Sequence, residues 1–281
     1  GGFTAAATVL LEALGAPAFE ALVTAMGIVS TSGIGAGAGP APLGAGAEGR
    51  AAEAAAALLP PPAATSWWHA WRRASGGMGL AAGVGVAGRL EALRRDPEFR
   101  LAGFALAVAT LWIWLHGAGA WEGTPAGAGR GLAALWGTVA TAVSFLTTTG
   151  YASADWPAAL DWAGLRPGSA GLLLMGLATL GGGVATTAGG VKLYRAYALY
   201  RHGVAELARL PHPNLVDSTR TMGGPIQRRA IVTAWAAVML HLAALGVATL
   251  AVGASGPDFG TALAAGVAAL SNVGPLLPEA A

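Results

Sequence analysis

The chain has 281 residues, 54% of them hydrophobic and only 11% charged, with a mean hydropathy of +0.57. Soluble domains carry about 25% charged residues, so this composition excludes an ordinary soluble domain. A net charge of +2 gives no field for nucleic acid, and the lack of cysteine excludes disulfides.

Uncharged runs at 131–154, 167–191 and 230–257 are long enough to matter, because a bilayer core of about 30 Å is crossed by about 20 apolar helical residues. The fold class is therefore an all-α integral membrane protein with several helices. The chain starts at Gly1, with no charged region ahead of an apolar one. No signal peptide is expected, and the start of the reading frame is expected upstream.

In chain order, residues 1–14 read as the tail of an apolar helix, and Pro17 begins a second that runs into "STSGIG" (30–35). The Ala/Gly/Pro stretch 36–65 has no periodic face to bury and is expected as an exposed loop. "SWWHAWRR" (66–73) clusters tryptophan and arginine as the headgroup layer favours. Residues 76–90 are apolar and glycine-rich, which suits close helix packing.

The charge cluster "RLEALRRDPEFR" (89–100) precedes a spanning helix at 101–117. After a loop around Glu122 and Pro125, "TVATAVSFLTTTGYASADWP" (138–157) runs from helix into three threonines, a glycine and a tyrosine. Residues 168–180 enter the membrane and meet "GGGVATTAGG" (181–190), followed by a basic amphipathic helix over 191–210. Arg228 and Arg229 precede a span at 230–252, and an apolar helix at 259–270 is interrupted by "SNVGPLLP" (271–278).

Orientation follows from charge. Arginine and lysine concentrate at 89–100 and at 192–229, which places both on the cytoplasmic side. The segments after the hydroxyl-rich turns carry Asp155, Asp161, Asp258 and Glu279, and face outward.

Three stretches share one plan: "EALVTAMGIVSTSGIG" (20–35), "TVATAVSFLTTTGYAS" (138–153) and "TALAAGVAALSNVGPL" (261–276). Each is a short apolar helix, a hydroxyl- or amide-rich turn, one glycine, then polar residues. A helix of about 12 residues is about 18 Å long and cannot cross a bilayer. It can enter halfway and return where its irregular backbone lines water. Extended backbone at such a turn can aim carbonyls at a pore and replace a cation's hydration shell. Glycine supplies the required φ, hydroxyls add an oxygen layer, and helix C-terminal dipoles favour a cation.

On these residues the chain resembles the Trk/Ktr/HKT family of potassium transporters, as an ion-translocating membrane subunit. "TTTGYASADWP" is similar to the third filter segment of that family, and residues 181–213 to its glycine-rich broken helix. "LSNVGP" (270–275) is similar to the fourth filter, "FEALVTAMGIVSTSG" (19–33) and "WHAWRRASGGMG" (68–79) to the first repeat, and "RRDPEFR" (94–100) to the lead-in of the third.

The resemblance implies repeated helix–re-entrant pore helix–filter–helix units around a pseudo-fourfold cation pore. It divides the chain into a first repeat over 1–93, a third-type repeat over 94–210 and a fourth-type repeat over 211–281. The second repeat is expected to be missing between about 79 and 94, and the fourth to stop after its filter.

The implied filter residues, binding potassium, are Ser30, Thr31, Ser32, Gly33 and Ile34, then Thr147, Thr148, Thr149, Gly150 and Tyr151, then Ser271, Asn272, Val273, Gly274 and Pro275. The implied gating loop contains Gly181, Gly182, Gly183, Thr186, Thr187, Gly189 and Gly190, with Lys192 helping to position it. The resemblance implies transport of potassium, or of potassium and sodium; a serine in place of the first filter glycine shifts this family towards sodium, so Gly33 points to potassium. The family also implies a homodimer on a cytoplasmic nucleotide-binding regulatory subunit, which the basic 192–229 surface could contact. Anionic membrane lipid accounts for the same charge.

Blander readings compete. Each filter turn alone is an ordinary helix terminus, and only the ordered set of three favours a pore. "GVGVAG" (83–88) fits a dinucleotide pattern but lies in an apolar stretch, and "AGGVKL" lacks the residues of a phosphate-binding loop. His69, His116, His202, His212 and His241 are scattered, and no paired carboxylates or metal spacing support an enzyme or a resident cofactor. Asp155 is either an outer-vestibule charge that concentrates cations or a solvated loop acid. The alternatives are a non-conducting membrane scaffold and a secondary transporter with broken helices.

Overall fold

The computed structural model describes residues 2–33, 97–117, 125–165, 167–183, 187–211, 220–221, 224–225, 228–274 and 276–277. The second repeat's expected gap, the low-complexity loop and the tryptophan cluster at 66–73 lie outside these residues. So do Ile34, Thr186, Pro275, His69 and His212.

The described elements are helical apart from one short ladder. They run α1 (Gly2–Ala13), α2 (Ala18–Ser30), α3 (Pro97–Gly117), α4 (Pro125–Leu146), α5 (Trp156–Ala163), α6 (Pro167–Leu180), α7 (Leu193–Arg209), α8 (Arg228–Gly253) and α9 (Phe259–Ser271). Between α7 and α8, β1 (Arg220–Thr221) pairs antiparallel with β2 (Gly224–Pro225), with Arg220 opposite Pro225.

Among the described residues, α3 and α8 are long and apolar enough to cross a membrane. Both carry large apolar side chains on exposed faces, including Phe104, Val108 and Leu111 on α3 and Leu240, Val247 and Leu250 on α8. Continuous exposed apolar surface of this kind suits lipid rather than water. The shorter α2, α6 and α9 have 13, 14 and 13 residues, so none spans a bilayer alone.

The helix before "TTTG" departs from the expected short form. It has 22 residues and starts at Pro125, continuing through Arg130 and four glycines or alanines of its first turns. Pro at the first helical position is favoured because its missing N–H has no intrahelical partner to lose.

Two apolar clusters organise the packing. The larger joins α3, α4, α5, α6 and α9 around Ile113, Phe145, Trp162, Leu174 and Val267. The smaller is built from Ala7 and Leu11 of α1 with Ala21, Ala25 and Ile28 of α2, and it takes in one residue from elsewhere, Tyr151.

Small residues set the closest approaches. A Cβ at Gly117 would stand 2.1 Å from the Trp162 ring, whose indole N–H donates to the Trp114 carbonyl at 3.3 Å. Gly137 on α4 lies against the backbone of 155–156, where a Cβ would meet the Asp155 carbonyl oxygen at 2.3 Å. These contacts bring the eight-residue α5 back over α4. They fix the path of the chain leaving "TTTG".

Candidate functional site

Three helices end in the same way. After α2, α4 and α9 a non-glycine residue takes the left-handed conformation: Thr31 at φ 52°, Thr148 at φ 58° and Asn272 at φ 58°. The next N–H then reaches back five residues: Ser32 to Gly27 at 3.0 Å, Thr149 to Ser144 at 2.9 Å and Val273 to Ala268 at 2.9 Å. This is the 6→1 bond of a Schellman C-cap, whose left-handed position usually falls to glycine. A β-branched threonine there costs of order 1–3 kcal/mol and persists only where its surroundings hold it.

The glycine follows two residues later. Gly33 (φ 65°) and Gly150 (φ 83°) are left-handed, as expected for backbone that must turn there. Gly274 is not among the positive-φ residues, so the third turn leaves its cap along a different path.

Hydroxyl pairs flank two of the left-handed residues. Ser30 Oγ lies 2.9 Å from Ser32 Oγ, and Thr147 Oγ1 lies 3.0 Å from Thr149 Oγ1. The lower member of each pair donates to its own helix, Ser30 to Met26 at 2.8 Å and Thr147 to Ser144 at 3.1 Å. The third turn has Ser271 and Val273 at these positions. Valine offers no oxygen, and the Ser271 hydroxyl is buried without a hydrogen-bond partner among the described residues.

The three turns meet one another and the loop after α6. The Asn272 side-chain amide donates to the Thr31 carbonyl at 3.2 Å. Thr31 Oγ1 lies 3.2 Å from Thr187 Oγ1, which donates to the Val29 carbonyl at 3.2 Å. The Gly189 N–H donates to Thr148 Oγ1 at 3.0 Å, and Gly189 packs flat against the Ser271 backbone. Thus residues 187–189 touch all three turns, which lie more than a hundred residues apart in sequence.

The loop folds back tightly on the end of α6. The N–H groups of Val191 and Lys192 donate to the Thr179 and Leu180 carbonyls at 2.9 and 3.0 Å, and Leu193 donates to Gly182 at 3.1 Å. Gly181 (φ 71°) and Gly190 (φ 76°) are in contact here, and a Cβ on Gly190 would stand 2.8 Å from the Gly181 Cα. Lys192 has φ 81°, a strained value for a side-chain-bearing residue, and its ammonium donates to the Ala188 carbonyl. Glu98, at the start of α3, and Arg195 act on it electrostatically, attractive and repulsive in turn.

Of the residues expected to form the site, Thr31, Thr148, Asn272, Ser271, Thr187 and Gly189 are brought into direct contact. Ser30, Ser32, Thr147 and Thr149 flank them. Gly181, Gly182, Gly190 and Lys192 shape the loop that reaches them, and Gly183 is buried beside it. Tyr151 behaves differently. Its side chain is only 6% exposed and lies in the α1/α2 cluster, so any oxygen it offers at the turn is its backbone carbonyl.

Sequence reasoning passed over Thr141, whose hydroxyl accepts the Ser153 N–H at 3.1 Å, and Gly137 beneath Asp155. Their signal was a threonine and a glycine on the same face of the helix before "TTTG", one turn apart. His241 lies on α8, away from this assembly. Among the described residues no group of three or more His, Cys, Asp or Glu side chains could hold a metal ion.

Comparison with known proteins bears on what such an assembly does. Residues 106–277, more than half of the chain, match the family model described as TrkH, cation transport protein. The chain is 32% identical over 188 residues to the Trk system potassium uptake protein TrkH of Escherichia coli K12, covering 64% of this chain and 35% of that protein. It is 33% identical over 195 residues to the Trk system potassium uptake protein TrkI of Halomonas elongata, covering 67% of this chain and 35% of that one. The aligned region thus spans about a third of the length of these curated relatives. The crystal structure of the potassium transporter TrkH from Vibrio parahaemolyticus superimposes with a TM-score of 0.72 at 23% identity, over 96% of this chain and 53% of that one.

Proposed function

The chain belongs to the TrkH family of cation transport proteins, and from that premise we propose that it forms part of a potassium-conducting pathway in the cell membrane. Its relatives bear the name of potassium uptake proteins. The observation that carries the reading is the meeting of three left-handed helix ends, at Thr31, Thr148 and Asn272, around residues 187–189.

In this reading the turns that follow α2, α4 and α9, at 31–33, 147–151 and 272–274, line the path. A potassium ion exchanges part of its water for carbonyl and hydroxyl oxygens there. Each helix C-terminus adds about half an elementary negative charge of dipole, which favours a cation over an anion. Gly33 rather than serine supports preference for potassium over sodium.

The 181–190 loop is the gate. Its residues Thr187 and Gly189 are held against the turns, and conduction requires them to leave. Lys192 stabilises the closed position through the Ala188 carbonyl. The chain assembles as a homodimer, and the basic stretch from Lys192 to Arg229 contacts a cytoplasmic nucleotide-binding regulatory subunit. Anionic lipid is the competing occupant of that surface.

Rubidium uptake into liposomes holding the purified full-length gene product tests the reading. Uptake that potassium competes away, and that a Gly150→Asp variant loses, supports it. Equal and negligible uptake by both folded proteins would point instead to a non-conducting membrane scaffold. Uptake that needs a second, coupled ion would point to a secondary transporter.

A further inference from the structure

Tyr151 directly follows the left-handed Gly150, yet its ring leaves the turn and enters another unit. The cluster that receives it is otherwise made of Ala7, Leu11, Ala21, Ala25 and Ile28, all from α1 and α2. Leu11, Ala21, Ala25 and Ile28 are each fully buried there. Among the buried members of this core, Tyr151 is the one that comes from the third-type unit.

The other side of the same segment is braced against its own helix. The Ser153 N–H donates to Thr141 Oγ1 at 3.1 Å, with both groups buried, and the Asp155 carbonyl rests on Gly137. The backbone over 150–155 is therefore held between two units, by a ring on one side and by α4 on the other. Close-packed cores resist displacement, so the seat of the ring fixes where the adjoining carbonyls stand. The third turn has a counterpart. Val273 and Leu276, beside Gly274, are fully buried in the larger cluster among Phe145, Leu174 and Leu177.

We propose that Tyr151 is the positioning residue that sets the distance between the Thr31 turn and the Thr148 turn, and so the discrimination between potassium and sodium. The proposal rests on the pore reading above. Potassium sheds its water at lower cost than the smaller sodium ion, so oxygens held apart favour it, and turns free to close in lose that preference. The anchor acts through the backbone of Gly150 and Tyr151 and not through the phenol ring as a ligand.

The test compares potassium and sodium as competitors of rubidium uptake in liposomes, using the full-length protein. Tyr151→Ala empties the seat, and the potassium-to-sodium preference falls about tenfold, equivalent to about 1.4 kcal/mol. Tyr151→Phe refills the seat and restores most of the preference. Leu11→Ala hollows the seat from α1, which contributes nothing to the turns, and lowers the preference in the same direction. Leu11→Ala also decides the matter where Tyr151→Ala does not fold.

An unchanged preference in folded Tyr151→Ala or in folded Leu11→Ala overturns the proposal and leaves the pore reading standing. A wild-type protein without potassium-competed rubidium uptake overturns both.

Discussion

Gly189 lies against Ser271 with no room for a side chain: a Cβ at 189 would stand 2.2 Å from the Ser271 carbonyl oxygen and 2.6 Å from its Cα. The obstacle is backbone, so it cannot swing aside, and Gly189 has no positive φ to complicate a substitution. Gly189→Ala should lift the loop from the third turn at a cost of about 1–3 kcal/mol. If the loop is the gate, that cost falls on the closed state alone. Rubidium uptake should then rise by about tenfold for each 1.4 kcal/mol. Unchanged or reduced uptake by folded Gly189→Ala would count against the loop as the obstruction.

Thr148 combines two opposed effects. Its left-handed backbone is strained, and its hydroxyl accepts the Gly189 N–H at 3.0 Å. Thr148→Val keeps the shape and the strain but removes the acceptor, leaving a partly buried N–H unpaired at about 1–3 kcal/mol. Thr148→Ser keeps the acceptor. The expected result is a lower melting temperature and a higher uptake for Thr148→Val than for Thr148→Ser. Equal melting temperatures for the serine and valine variants would show that the hydroxyl does not hold the loop.

Much of this assembly is legible in the chain because it is local. "STSG", "TTTG" and "SNVG" each follow an apolar helix, and a left-handed residue is a common way for an α-helix to end. Two features were not legible. A Schellman cap usually takes glycine, so the residues that turn left-handed, Thr31, Thr148 and Asn272, were obscured by the more obvious glycine two positions on. The other is the destination of Tyr151. Nothing near it specifies that it joins Ala7 and Leu11, because that contact depends on how distant units pack. The place of the eight-residue α5 was not legible for the same reason, since it is set by Trp162 against Gly117, far earlier in the chain.

Gly137 gives a test of scaffold against pathway. It touches no turn residue directly, but a Cβ there would stand 2.3 Å from the Asp155 carbonyl oxygen and 2.9 Å from the Trp156 nitrogen. Gly137→Ala should push the returning chain off α4 and destabilise the protein by about 1–3 kcal/mol. The expected sign is a lower melting temperature together with weaker potassium preference, because Ser153 loses its register on Thr141. A melting temperature equal to that of wild type would mean that the segment can shift freely and does not brace the turn.

Asp258 provides a pH dependence outside the membrane. It caps α9, accepting from the Gly260 and Thr261 N–H groups at 3.1 and 3.4 Å and from the Thr261 hydroxyl at 2.7 Å. The Thr261 side-chain bond, then its backbone bond, hold the carboxyl below its ordinary 3.8. A carboxylate depressed in the folded state contributes stability that is complete above its unfolded value and is lost as pH falls through the folded one. Melting temperature should therefore fall in wild type as pH drops below about 4, the range of an ordinary carboxylate. Asp258→Asn keeps a neutral cap and should follow a flatter curve, so the wild-type advantage at neutral pH narrows in acid. Parallel curves for the two proteins across that range would mean that the cap contributes nothing through its charge.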